Sequence, residues 1–235
     1  MLHGDTVNTF SLNTSTNHYS LAVMRDETIL GESTFASGSQ HFTNLMPSLD
    51  QLLNKVNLEL ENLDGLIVAA GPGSFTGIRI GLSVVKGLSQ SLGIPAVGVS
   101  TLLGLASQVP YCKYAVCPLV ASRRDEVFIA LFRWDDAHGR LARHQDDTCI
   151  KIAELASLIE HTTVFIGSNF VQHGPVVKDL LGTKALLAPA SMWNLRASSL
   201  VPEGLRRLKE GDAGSSSGLE PIYLRDADTR PPKAL

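Results

Sequence analysis

The chain carries almost no charge imbalance: 20 Lys and Arg stand against 23 Asp and Glu, a net of −3. That argues against direct nucleic-acid binding as the main activity, because such binding needs a basic footprint. Cysteine is scarce, with only Cys112, Cys117 and Cys149 in 235 residues and no C-x-x-C pair. No disulfide framework or zinc ribbon can be built from these three, and an odd, sparse set fits a reduced, cytoplasmic setting. The seven histidines include no H-x-x-x-H pair, so a helical metal dyad is missing. No G-x-S-x-G nucleophile elbow occurs. No apolar run approaches the roughly 18 residues needed to span a membrane. Residues 1–10 lack the cationic-then-apolar order of a secretory signal. What remains is a globular composition, 44% hydrophobic and 18% charged, long enough for one large unit or two smaller ones, each with a core.

The richest stretch is Gly71-Pro72-Gly73-Ser74-Phe75-Thr76-Gly77-Ile78-Arg79. An apolar run, residues 66–70, precedes it and reads as a buried strand; residues 80–92 after it read as a helix. Gly71 and Gly73 permit positive φ in a tight turn, Pro72 stiffens it, and Ser74 or Thr76 can cap the helix. Gly77 and Gly81 stand one helical turn apart on one face. Each costs about 1 kcal/mol relative to Ala in a helix, so something must approach that face closely: another backbone or a ligand. A glycine-rich strand-to-helix turn can cradle phosphate, but the spacing matches neither G-x-G-x-x-G nor G-x-x-x-x-G-K-[ST]. Structural packing is the better physical reading. Ser74 reads as a cap and not as a nucleophile, because no histidine or acid is spaced to activate it.

Upstream, residues 9–15, 19–24 and 28–33 alternate as short strands of a meander. Residues 40–60 recur at helical spacing through Phe42, Leu45, Met46, Leu49, Leu52, Leu53 and Val56, with Ser39 as cap and Pro47 as a kink or a late start near Asn44. His41 at its opening reads as a capping or packing residue. Residues 94–99 make a further strand, and Ser100-Thr101 caps a short helix; strand, helix, strand implies parallel, right-handed joining. From residue 109 the alternation restarts. Strands are expected over 114–121, 126–134, 163–167 and 184–187, with helices over 151–161, 171–181 (broken at Gly174-Pro175) and 191–210 (split at Pro202 and Gly204). The pairs Asp135-Asp136 and Asp146-Asp147 read as solvated turns. Residues 211–218 read as a flexible linker.

Residues 71–106, GPGSFTGIRIGLSVVKGLSQSLGIPAVGVSTLLGLA, resemble the core of the TsaB (YeaZ) family, bacterial proteins needed to form threonylcarbamoyladenosine at position 37 of tRNA. The resemblance extends to TFSLNTSTNHYSLAVM at 9–24, PLVASRRDEVFIALF at 118–132 and the closing Pro221-Ile222-Tyr223-Leu224-Arg225. It departs at two family acids, where this chain has Asn13 and Ala121. In the sugar-kinase, Hsp70 and actin superfamily the first of these acids helps hold a metal-nucleotide. Asn keeps the shape but not the charge a hard cation prefers.

The resemblance implies an α/β fold of two ribonuclease-H-like, actin-like halves, each a mixed sheet with helices: residues 1–108, carrying the GPGSFTG motif, and 109–235, with a tail able to return to the first half. It implies no catalytic residue and no metal, and a protein that works by holding a TsaD-like catalytic subunit, with a TsaE-like ATPase as a further partner. A homodimer is the alternative assembly. tRNA is met only indirectly, no membrane is involved, and ATP or ADP belongs, if anywhere, at the joint with the partner. The family places that joint on the helix before the motif and the helix after it. Here those supply Phe42, Leu45, Met46 and Leu49, then Thr76, Gly77, Arg79, Ile80, Gly81, Val84, Lys86 and Leu88, with Gly77 and Gly81 forming a groove for a partner helix. The contrary expectation is that these faces are buried within the first half. Two other classes stand beside this reading: a kinase-like ATP-binding enzyme or peptidase of the M22 type, and an RNA-binding module.

Overall fold

The computed structural model describes residues 6–36, 42–212 and 219–225. Five strands form the first sheet: β1 (Asn8–Asn13), β2 (His18–Arg25), β3 (Thr28–Ala36), β4 (Gly65–Gly71) and β5 (Ala96–Ser100). Their spatial order is β3-β2-β1-β4-β5, antiparallel across the meander and parallel from β1 through β4 to β5. The expected parallel neighbours Leu66 and Ala96 are register partners. Period two sorts the side chains of this sheet. Phe10, Leu12, Leu21, Val23, Leu66 and Val68 pack under α1 (Leu45–Lys55) and α2 (Phe75–Leu92). Ala22, Met24, Ile67, Ala69, Val97 and Val99 face the opposite way, into the core shared with the second half.

The second sheet, from β6 (Ala115–Ala121), β7 (Glu126–Asp135), β8 (Arg140–Lys151), β9 (Thr163–Gly167) and β10 (Ala185–Leu187), has order β10-β9-β6-β7-β8. With β6 in the role of β1, this is the same topology as the first sheet, with the same parallel and antiparallel pairings. The short α3 (Thr101–Ala106) follows the first sheet in the chain but packs on β6 and β7 of the second. In exchange, residues 197–200 and α6 (Val201–Lys209) lie against the first sheet, where Leu208 packs at Gly65 and Ile67 at Gly204.

Several local expectations change. The first helix is shorter than 40–60, and Pro47 is its third residue, where the missing N–H costs nothing. Ser39, Gln40 and His41 lie outside the described residues, as does most of the 211–218 linker. Strand β8 was not anticipated, because its sequence, RLARHQDDTCIK, is polar and half-exposed along its length. Asp146-Asp147 therefore belongs to a strand and not to a turn. Asp147 accepts a hydrogen bond from Ser100 Oγ at 3.0 Å and pairs with Arg143. Residues 151–161 hold one 3-10 turn and the single-turn α4 (Leu155–Leu158). Gly174-Pro175 does not break α5 (Phe170–Leu181). The carbonyl orphaned by Pro175 belongs to Val171, on the solvent side, where water can take it. The long helix expected over 191–210 is two 3-10 turns followed by α6, which Pro202 opens.

Candidate functional site

Two loops meet at the C-terminal ends of β1 and β4. Asn13-Thr14-Ser15-Thr16 leaves β1, and Gly71 to Ser74 leads into α2. Ser74 N donates to the Ser15 carbonyl at 2.8 Å, and Thr14 Oγ1 donates to the Gly77 carbonyl at 2.7 Å. Ser74 caps α2, its hydroxyl accepting from Gly77 N at 3.2 Å, in the role expected of it. A Cβ on Gly77 would strike the Thr14 carbonyl oxygen, and one on Gly81 the Thr14 hydroxyl. The glycine face is thus filled by this chain's own β1 loop, and the groove expected there for a partner helix is closed.

Asn13 is fully buried. Its Oδ1 accepts from Ser15 N at 2.9 Å and Ser15 Oγ at 2.8 Å, while Nδ2 faces Thr16 Oγ1 and the carbonyls of His18 and Leu195 at 3.1, 3.1 and 3.2 Å. An aspartate could not donate to those carbonyls. Thr101 Oγ1 completes the network by donating to Ser15 Oγ at 2.9 Å.

The closing segment crosses this corner. Ile222 N donates to the Ala70 carbonyl at 2.7 Å, beside Gly71, whose φ is +115° and where a Cβ would collide with the Ile222 carbonyl oxygen. Tyr223 stacks on Phe75, with ring centroids 5.1 Å apart, and its hydroxyl accepts from Arg79 Nε at 3.0 Å. The Arg79 guanidinium lies 3.8 Å from the Phe75 ring centre, a cation–π contact. Two residues on, Arg225 pairs with Glu126 of the second half. The segment therefore ties α2 to β7.

Between the halves lies a cleft of about 480 Å3, lined by the β1 loop, Gly73 to Phe75, residues 120–123, Ser168 and the closing segment. None of its described lining residues is a carboxylate. The metal-nucleotide chemistry that the actin-like fold implies does not fit these residues. The Asn13 amide is spent on main-chain carbonyls, position 121 is Ala, and a hard cation would find no anionic oxygen. Among the described residues no three His, Cys, Asp or Glu side chains converge, and no helix is long and apolar enough to cross a membrane.

The remaining residues expected at a partner surface divide by burial. Leu45, Leu49, Gly77, Gly81 and Leu88 are buried, so they build the first half and offer a partner nothing. Met46 (45% exposed), Thr76 and Arg79 face outward, and Phe42, Ile80, Val84 and Lys86 are half-exposed. Sequence reasoning missed Thr14 as the occupant of the glycine face. It also missed the Phe75–Arg79–Tyr223 stack, which spans 148 residues of chain and leaves no local signal. Cys117 is buried, and Cys112 and Cys149 are half-buried. Burial is the main cause raising the thiol pKa of both Cys117 and Cys149.

Two sheets of identical strand order, with the cleft where their C-terminal strand ends face each other, define an actin-like protein of duplicated ribonuclease-H-like halves. In agreement, component A of (R)-2-hydroxyglutaryl-CoA dehydratase from Acidaminococcus fermentans superposes with a TM-score of 0.52 at 11% identity, covering 86% of this chain and 99% of that one. YeaZ from Pseudomonas aeruginosa superposes with 0.78 at 23% identity, covering 93% and 100%. Residues 32–199 match the family described as "TsaD: tRNA N6-adenosine threonylcarbamoyltransferase". The tRNA threonylcarbamoyladenosine biosynthesis protein TsaB of Bacillus subtilis is 31% identical over 221 residues, 93% of this chain and 94% of its own. The chain belongs to the TsaB family.

Proposed function

We propose that this protein serves the formation of N6-threonylcarbamoyladenosine at position 37 of tRNA as the non-catalytic partner of a TsaD-like subunit. The observation that carries this reading is the 31% identity to the B. subtilis biosynthesis protein along nearly the whole of both chains. The site's chemistry supports the non-catalytic part. The motif loop, residues 71–77, is spent on packing and capping, and among the described residues that line the cleft with Ser74 none is a histidine or a carboxylate that could activate it. A kinase-like or M22-type peptidase activity has no comparable residue set in its favour, and the net charge of −3 favours indirect contact with tRNA.

The partner surface is the outer side of α1 and α2, around Met46, Ile80 and Val84, with Arg79, Lys86 and Thr76 as polar neighbours. Apolar side chains half-open to solvent beside two cations suit a partner with an apolar patch and carboxylates at its rim. A TsaE-like ATPase joins the assembled pair, ATP or ADP belongs to the joint and not to this chain alone, and self-association through the same face competes with the TsaD-like subunit. Co-purification with the organism's TsaD-like protein, followed by a tRNA modification assay with and without this chain, tests the reading. Retention of the pair, and modification that depends on this chain, are expected. Met46→Asp combined with Ile80→Glu should cost the pair at least about tenfold in affinity while the melting temperature of the isolated chain holds. Modification at full rate without this chain, or turnover by this chain alone, overturns the proposal.

A further inference from the structure

We propose that a groove at the end of the molecule opposite the cleft holds the Pro231-Pro232 segment of a second copy of this chain. This is independent of the partner role argued above. The groove lies where the halves meet, near the starts of β1 and β6. It has two lobes, of about 450 and about 530 Å3, which share Glu27, Ser107, Pro110 and Pro202. Its wall is apolar and open to solvent. Tyr111 is 77% exposed, and its ring centre lies 4.4 Å from that of the half-buried Trp134. Tyr111 also holds a φ of +57°, a strained value for a bulky residue. Leu103 and Leu141 stand beside the two rings, and Ile29, 45% exposed, carries the apolar wall into the second lobe. Exposed apolar surface gathered in a groove marks an interaction site.

Grooves lined by aromatic rings take polyproline II segments, whose shape is set before they bind. Residues 226–235, DADTRPPKAL, hold the one Pro-Pro pair of the sequence. Each proline fixes its own φ and extends the residue before it. The charges agree in order. On the groove, Arg196 pairs with Glu32, Arg206 with Glu203 and His138 with Asp135, whereas Arg140, beside the rings, and Glu27, where the lobes join, have no ion pair among the described residues. Asp228 precedes the prolines and Lys233 follows them. Laid with Asp228 toward Arg140, the segment sets Pro231-Pro232 against Tyr111 and Trp134 and brings Lys233 toward Glu27. Reach decides which copy supplies it. Arg225, where the described chain stops, is tied to Glu126 at the first position of β7. Trp134 is eight residues further along that strand, about 26 Å away. Pro231 is only six residues past Arg225, about 22 Å when fully extended on a straight path. The prolines thus fall short of their own groove and enter that of a neighbour.

A labelled peptide of residues 226–235, titrated with the full chain carrying Pro231→Asp and Pro232→Asp, tests the groove while keeping it free of its own segment. Saturable binding is expected, with a shift in tryptophan emission. The sequence has two tryptophans and Trp193 is 1% exposed, so the shift reports Trp134. Adding Tyr111→Asn, a residue that tolerates the positive φ, should weaken binding about tenfold or more at an unchanged melting temperature. A peptide with Pro231→Ala and Pro232→Ala should lose as much, and it decides alone if the Tyr111 variant fails to fold. Sedimentation tests the exchange between copies, in a Met46→Asp, Ile80→Glu background that removes self-association through α1 and α2. The chain with intact groove and prolines should self-associate. Tyr111→Asn alone and the Pro231→Asp, Pro232→Asp variant alone should each stay monomeric, and an equimolar mixture of the two should associate again, since one supplies the segment and the other the groove. No saturable peptide binding, equal binding of the alanine peptide, or a mixture as monomeric as its components would each overturn the inference.

Discussion

Asn13 Nδ2 lies 3.2 Å from the carbonyl oxygen of Leu195, a contact across 182 residues of chain that joins the first strand to the turn leading into α6. The same amide group faces the His18 carbonyl, so the position demands a donor. The Asn13 side chain is therefore a structural joint between the first strand and the segment that leads into α6.

Asn13→Asp should destabilise the protein by about 3 kcal/mol at neutral pH, because it sets a buried charge against two carbonyls. At acid pH a protonated carboxyl can donate again. The penalty should thus shrink as pH falls, the sign expected of an acid whose folded-state pKa is raised. Urea unfolding of the variant and the parent at pH 7 and near pH 4 measures both; an equal loss at the two pH values would refute the donor argument.

Gly81→Leu should lower stability by about 3 kcal/mol or more, a melting shift of about 10 °C for a chain of this size, since Thr14 and Val68 fill the space. Gly87, on the same helix, is exposed with nothing near its missing Cβ. Gly87→Ala should instead stabilise by about 0.5–1 kcal/mol through helix propensity alone. Opposite melting shifts are the expected result, and equal ones would mean that the two faces of α2 were assigned wrongly.

His173 predicts a pH dependence. It is buried with Nδ1 unpaired among the described residues, and desolvation lowers its pKa below the usual imidazole value. The unfolded chain takes the proton first as pH drops below about 6.5, so stability from the neutral ring is complete above that pH and is lost on acidification toward the lower folded-state pKa. Melting temperatures from pH 7.5 down to 5 should fall more steeply for the parent than for His173→Gln. Parallel curves would show that this ring is not the source.

What the sequence determined by itself lay in short-range patterns. The period-two runs at 9–24 and 66–70 and the Gly-Pro-Gly-Ser turn specify strand, turn and capped helix from neighbouring residues alone, and those elements stand where expected. The actin-like pairing of two halves was legible because the same alternation restarts after residue 109. Only the tertiary structure decided what fills the face of Gly77 and Gly81. Glycine spacing says that something comes close, but Thr14 comes from a loop more than 60 residues away, and helical periodicity carries no term for such a neighbour. The same holds for β8, whose polar residues form a strand because β7 supplies the ladder. It holds too for Arg79, Phe75 and Tyr223, and for the exchange of α3 and α6 between the sheets. Local chemistry selects elements, whereas long-range packing selects which of their faces remain open.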